Sequence, residues 1–234
     1  EIGPENIMAF IAEPILASGG VIVPPKNYNY RCWEVVKRYN IIYIADEVVT
    51  AFGRLGYWFA SEPVFGIIPV TIIFAKGITS GYIPMGGYAV SEKFMSTFSG
   101  DEADGCLYSN GYTWSGSPVA CAAALGTLDT YEEEGLLTRA SELADYWESS
   151  IHSLKGHPHV IDIRNIGLVG AIELETIPGE PTKRAMNAMV KAFEKGLLIR
   201  TTGDIIALSP PLIIEKSEID QIFETVSGVL KDLD

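Results

Sequence analysis

Two apolar runs of five residues each end on a charged side chain. Ile41-Ile42-Tyr43-Ile44-Ala45 is closed by Asp46, and Thr71-Ile72-Ile73-Phe74-Ala75 by Lys76. Runs this short, continuous and isoleucine-rich are expected as buried strands of a parallel sheet. In open α/β sheets the chemistry sits where the strands end. An acid and an amine delivered there by two strands of one sheet can face the same ligand. A buried lysine at such a place has a depressed pKa and can condense with an aldehyde. A carboxylate opposite it can keep a pyridine nitrogen protonated. Together they make the arrangement that pyridoxal phosphate chemistry needs.

The surrounding pattern supports an α/β sheet. Residues 8–12 read as a strand stopped by Glu13-Pro14, and 28–39 carry helical apolar spacing at Tyr30, Trp33 and Val36. The segment 47–66 is expected to be irregular, with Gly53 and Gly56 among Phe52, Tyr57, Trp58 and Phe59. A glycine-rich loop follows residue 76, then a short strand at 88–90. Residues 99–117 are rich in Gly, Ser and Asp and are expected to be a long functional loop. Pro118 suits a first helical turn, and 119–131 is Ala-rich and helical. Glu132-Glu133-Glu134-Gly135 reads as a hinge.

Beyond it the pattern changes. Helices are expected at 138–154, 182–195 and 216–232, and Gly196 is a good helix stop. Residues 160–164 and 168–174 read as an antiparallel pair around Gly167, and Thr201-Thr202-Gly203-Asp204 as the turn of a hairpin. This predicts two domains, a large one over 1–134 and a smaller α+β one over 135–234.

A net charge of −13 argues against nucleic acid and anionic membrane as partners. Cys32, Cys106 and Cys121 are odd in number and far apart, so neither a disulfide framework nor a metal site is expected. Reduced thiols fit the cytoplasm. No stretch of about eighteen apolar residues marks a membrane span.

Taken singly, each candidate residue has a commoner structural role: Asp46 a turn or cap, Lys76 a solvated end charge, Thr113 a loop threonine, Arg200 a surface ion pair, Trp58 a core aromatic. Taken in order they are not independent. Ala12-Glu13-Pro14, Ala45-Asp46-Glu47-Val48-Val49-Thr50-Ala51-Phe52-Gly53-Arg54, Ala75-Lys76-Gly77 and Gly111-Tyr112-Thr113-Trp114-Ser115-Gly116-Ser117-Pro118 resemble the class III aminotransferases, the ω-aminotransferase branch of the fold type I pyridoxal phosphate enzymes. The resemblance runs on through Ile161-Asp162-Ile163-Arg164 and Ile199-Arg200-Thr201-Thr202-Gly203-Asp204 to Ser209-Pro210-Pro211.

The resemblance implies an α/β fold, part of the large-domain sheet of that fold type followed by a smaller α+β domain. It implies pyridoxal 5′-phosphate as cofactor, and transfer of an amino group from an ω-amino acid or amine to a keto acid such as pyruvate. Lys76 matches the lysine that bonds the cofactor, and Asp46 the acid on the pyridine nitrogen. Val48 matches the apolar residue packed on the ring, and Glu13 an acid beside it. Thr113 matches the threonine that reaches the cofactor phosphate of a partner subunit, which implies a homodimer. Arg200 matches the arginine that takes a substrate carboxylate, and Trp58 is expected near the substrate pocket. A same-fold aminomutase or decarboxylase would use the same lysine and acid, and a non-catalytic dimerisation module derived from such an enzyme is the other alternative.

Ser18 stands where ornithine-type relatives carry a Glu, which favours the ω-amino acid or amine branch. Val49, Ala51 and Asn110 also depart from common family residues without removing a main chemical group. The family's small-residue phosphate loop and its ring-stacking aromatic lie in a first half that this sequence does not contain. Glu1-Ile2-Gly3-Pro4 leads straight into a strand, so the chain is expected to begin in mid-domain and to bind the cofactor poorly alone.

Overall fold

The computed structural model describes residues 2–98 and 107–233. Cys106 and residues 99–106 of the expected long loop lie outside the described residues.

The two apolar runs form β2 (Ile42–Asp46) and β3 (Thr71–Ala75), and they pair in parallel with Asp46 opposite Ile73. On the other side of β2 lies β1 (Ala9–Ala12), also parallel, with Ala12 opposite Ala45. The fourth strand, β4 (Gly86–Val90), is antiparallel to β3 and longer than its sequence predicted. The sheet order is β1-β2-β3-β4. Helix α1 (Tyr28–Arg38) covers one face: Val36, Cys32 and Trp33 pack with Phe10, Ala12, Tyr43, Ala45 and Ile72. The opposite face carries Ile11, Ile44, Asp46, Ile73 and Tyr88, because alternate strand residues point oppositely. Ile11 and Tyr88 on that face are exposed.

Inside the stretch expected to be irregular, a short helix forms, α2 (Ser61–Phe65), ended by Gly66 in a left-handed conformation. One further short helix, α3 (Glu92–Met95), starts with the Ser91 hydroxyl accepting from the Phe94 N–H. Helix α4 (Pro118–Glu133) runs two residues past the predicted end, so the expected hinge at Glu132 and Glu133 is helical. The break comes at Gly135, with φ +64°.

The remaining helices are α5 (Leu136–His152), α6 (Lys183–Glu194) and α7 (Lys216–Lys231). They accompany an antiparallel sheet of β5 (Val160–Ile166), β6 (Val169–Leu174), β7 (Arg200–Thr202) and β8 (Ile205–Leu208), in the order β5-β6-β8-β7. Gly167 turns β5 into β6 at φ +50°, and a Cβ there would meet the Arg54 carbonyl at 2.7 Å. Helix α7 opens with a capping box, Glu215 and Glu218 each accepting the other's backbone N–H.

The chain divides into two compact units that interleave in sequence. The first holds Glu1–Pro14, Pro25–Phe52 and Tyr57–Gly135; the second holds Ile15–Pro24, Gly53–Gly56 and Leu136–Asp234. Within the second unit, Arg164 bonds the carbonyls of Gly20 and Val21 at 2.7–3.1 Å and the carboxylates of Asp162 and Glu173 at 2.6 Å. Arg54 likewise donates to the carbonyls of Leu168 and Pro210 at 2.9 and 2.7 Å. These two guanidiniums tie the short excursions of the chain into that unit's sheet.

Candidate active site

Three adjacent parallel strands each deliver a charged residue at their C-terminal ends. Glu13 follows β1, Asp46 is the last residue of β2, and Lys76 follows β3. Register brings the first two side by side, since Ala12 pairs with Ala45, and it sets Asp46 opposite Ile73, three residues before Lys76.

Asp46 is half-buried, and its Oδ1 accepts the Val48 N–H at 3.2 Å. That bond fixes the carboxylate's rotamer and holds Val48 beside it. Glu13 is half-buried too.

At Lys76 the strand geometry ends abruptly. Its φ is +46°, in the left-handed region, which costs an L-residue about 1–2 kcal/mol. Strict alternation puts residue 76 on the α1 face, together with Ile72; the left-handed turn removes it from that pattern. Lys76 is accordingly exposed, where the sequence led to a buried amine. The strained residue is held from below. Gly81 N–H donates to the Lys76 carbonyl at 3.2 Å, and the Tyr131 hydroxyl donates to the Gly77 carbonyl at 2.9 Å. Gly77 lies against Phe52, where a Cβ would come within 2.7 Å of the Phe52 Cβ.

An aromatic nest supports this turn. Phe52 stacks on Tyr131 at 6.4 Å between ring centroids, and Trp58 meets both edge-on at 6.3 and 5.9 Å. Trp58 is half-buried in this nest, and its carbonyl accepts the Phe52 N–H at 2.8 Å. Thr113 stands in an exposed turn between Tyr112 and Trp114, both 84% exposed. Arg200 belongs to the second unit, exposed at the first position of β7.

Two contributors escaped the sequence reading. Glu47, wholly buried beside Asp46, binds four donors through its carboxylate. Tyr131, in an Ala-rich helix, reaches Gly77 across 54 positions of sequence. No spacing rule links residues so far apart.

The donor set fits pyridoxal phosphate: a carboxylate with one oxygen tied to a backbone amide, and an exposed primary amine on the neighbouring strand end.

The class-III aminotransferase family model matches residues 1–230. An omega-aminotransferase of Caulobacter vibrioides is 49% identical over 230 residues, which is 98% of this chain and 52% of that protein. A β-alanine–pyruvate aminotransferase of Pseudomonas aeruginosa is 40% identical over 230 residues, 97% of this chain and 51% of the relative. Among solved structures, a thermostable (S)-enantioselective omega-transaminase from Thermomicrobium roseum matches with a TM-score of 0.90 at 36% identity, covering 98% of this chain and 52% of its own. The chain spans about half the length of the curated relatives it matches. Its strand-end charges, its α/β architecture and these likenesses agree, and the chain belongs to the class-III aminotransferase family.

Proposed function

We propose that this chain carries the lysine, acid and substrate-side residues of a pyridoxal phosphate-dependent transaminase that moves an amino group from an ω-amino acid or amine to a keto acid such as pyruvate. The observation that carries the reading is the placement of Asp46 and Lys76 at the C-terminal ends of neighbouring parallel strands. The relatives' names, which include β-alanine–pyruvate and putrescine–pyruvate aminotransferases, support the reaction class.

When bound, pyridoxal phosphate supplies an aldehyde and an electron-withdrawing ring. Asp46, its Oδ1 held by the Val48 N–H, would keep the ring nitrogen protonated. Lys76 would hold the cofactor through its amine and, displaced by the substrate amine, would be the base that takes the proton from the substrate carbon and the acid that gives it back. Its exposure leaves the amine accessible for that exchange. Val48 packs on the ring without competing hydrogen bonds, and Glu13 adds a carboxylate beside Asp46. Thr113 offers its hydroxyl and amide to the cofactor phosphate of a second copy in a homodimer. Arg200 grips a substrate carboxylate through two parallel N–H bonds. Trp58 walls the substrate side.

In this reading residues 1–134 form the cofactor domain, apart from Ile15–Pro24 and Gly53–Gly56, which pack in the second unit, 135–234 form the smaller domain, and the enzyme works in the cytoplasm. No helix among the described residues is long and apolar enough to cross a membrane.

Titration with pyridoxal phosphate in the context of a full-length protein tests the reading. A visible absorbance band is expected to appear on binding and to be absent in Lys76→Ala. A band that persists in that variant overturns the role of Lys76.

A further inference from the structure

Glu47 is 0% exposed, whereas every other carboxylate among the described residues reaches solvent. Burying a carboxylate costs several kcal/mol unless its lone pairs are filled. Here four donors fill them. The Ala60 N–H and the Thr50 hydroxyl reach Oε2 at 2.7 and 3.0 Å. The Ser61 N–H and hydroxyl reach Oε1 at 2.8 and 2.5 Å. Four donors around one group match the acceptor-only capacity of an ionised carboxylate. The donors are buried as well, with Thr50 and Ser61 at 1% exposure and Ala60 at 0%.

The backbone of the same residue is pinned at both ends. Its N–H extends the parallel ladder one step past β2 by donating to the Ile73 carbonyl at 2.9 Å. Its carbonyl accepts the Ala51 N–H at 3.1 Å. Glu47 thus joins three pieces of the first unit: the end of β2, β3 just ahead of Lys76, and the start of α2. An apolar side chain of similar volume could fill this space at lower desolvation cost. What a carboxylate adds is direction, because each of its bonds fixes a distance and an angle.

The residues that direction serves are its two neighbours. Asp46 and Val48 flank Glu47, and the 3.2 Å bond from the Val48 N–H to the Asp46 carboxylate spans it. A shift or rotation of the Glu47 backbone moves the Val48 amide and frees the Asp46 rotamer. We propose that Glu47 is the positioning residue for Asp46 and Val48, holding the carboxylate that meets the ring nitrogen and the apolar group that packs on the ring. The assignment rests on the pyridoxal phosphate reading above.

The test compares the intact protein with Glu47→Gln, Thr50→Val and Ser61→Ala. Each is followed by pyridoxal phosphate titration, by the pH midpoint of the bound cofactor's visible absorbance, and by thermal unfolding. Glu47→Gln puts an amide N–H against a donor, and it is expected to weaken cofactor binding about 10- to 100-fold and to move the pH midpoint. Thr50→Val and Ser61→Ala each remove one hydroxyl and keep the carboxylate, with the same changes expected at smaller size. If Glu47→Gln does not fold, the two hydroxyl variants decide. Variants that lose thermal stability but keep the wild-type affinity and pH midpoint overturn the proposal and leave Glu47 a packing residue. A full-length wild-type protein that develops no visible band overturns the cofactor reading, and this assignment with it.

Discussion

Strand β6 of the second unit is buried at five of its six positions, whereas all five positions of β3 in the first unit are only half-buried. Around β6 the second unit closes its core: Trp147, Ile151, Leu168, Ile172, Ile206, Ile219 and Leu230 expose at most 0% of their surface. The first unit buries one sheet face beneath α1 and leaves Ile11 and Tyr88 exposed on the other. Isoleucine-rich parallel strands have the composition of a sheet covered on both faces. Asp46 belongs to the less covered face, in register with Ile73 and Tyr88. The more completely closed sheet thus lies in one unit, and most of the proposed chemistry in the other.

The largest expected effect probes the closed core. Trp147→Ala removes a fully buried ring that packs edge-on against Phe223 at 5.1 Å, and it is expected to cost about 3–5 kcal/mol in denaturant unfolding. The direct comparison is Ile172→Ala against Ile73→Ala. The first, in β6, is expected to cost about 2–5 kcal/mol and the second, half-buried in β3, about 1 kcal/mol. Equal costs would erase the contrast between the units.

The smallest effect sharpens it from inside the first unit. Tyr43 is 2% exposed, yet its hydroxyl has no hydrogen-bond partner among the described residues. Tyr43→Phe is expected to stabilise the protein by about 1 kcal/mol near neutral pH. Burial, with smaller contributions from Cys32 and Tyr28, pushes the Tyr43 hydroxyl up from 10.0 to about 12. The unfolded chain therefore releases this proton first, and folding stability falls between those two values as pH rises. Stability curves of wild type and Tyr43→Phe should diverge in that window, with the variant losing less.

Elements with a strong local signal were legible. Residues 71–75 form a strand where the apolar run predicts one, and α6 ends just before Gly196, whose φ is +84°. Residues 205–208 return antiparallel to Arg200–Thr202, the hairpin that Gly203 and Asp204 signalled. Weaker signals misled. The five residues of α2 are too few to show a helical period among flanking aromatics and glycines. The acidic run at 132–134 resembled a hinge, yet Glu132 and Glu133 continue α4 because glutamate is a good helix former and only Gly135 takes a positive φ.

The candidate site divides in the same way. Asp46 and Lys76 could be placed at the ends of two strands of one sheet from sequence, because hydrophobic runs are local consequences of backbone geometry; that the two strands are neighbours is settled by the sheet order. The left-handed turn that exposes Lys76, the Tyr131 hydroxyl that braces it and the four donors around Glu47 belong to the tertiary structure alone. Each depends on groups brought together from distant parts of the chain, 14 residues apart for Glu47 and Ser61 and 54 for Gly77 and Tyr131. A hydrogen bond needs its two partners within about 3 Å, and at such separations only the folded chain sets that distance.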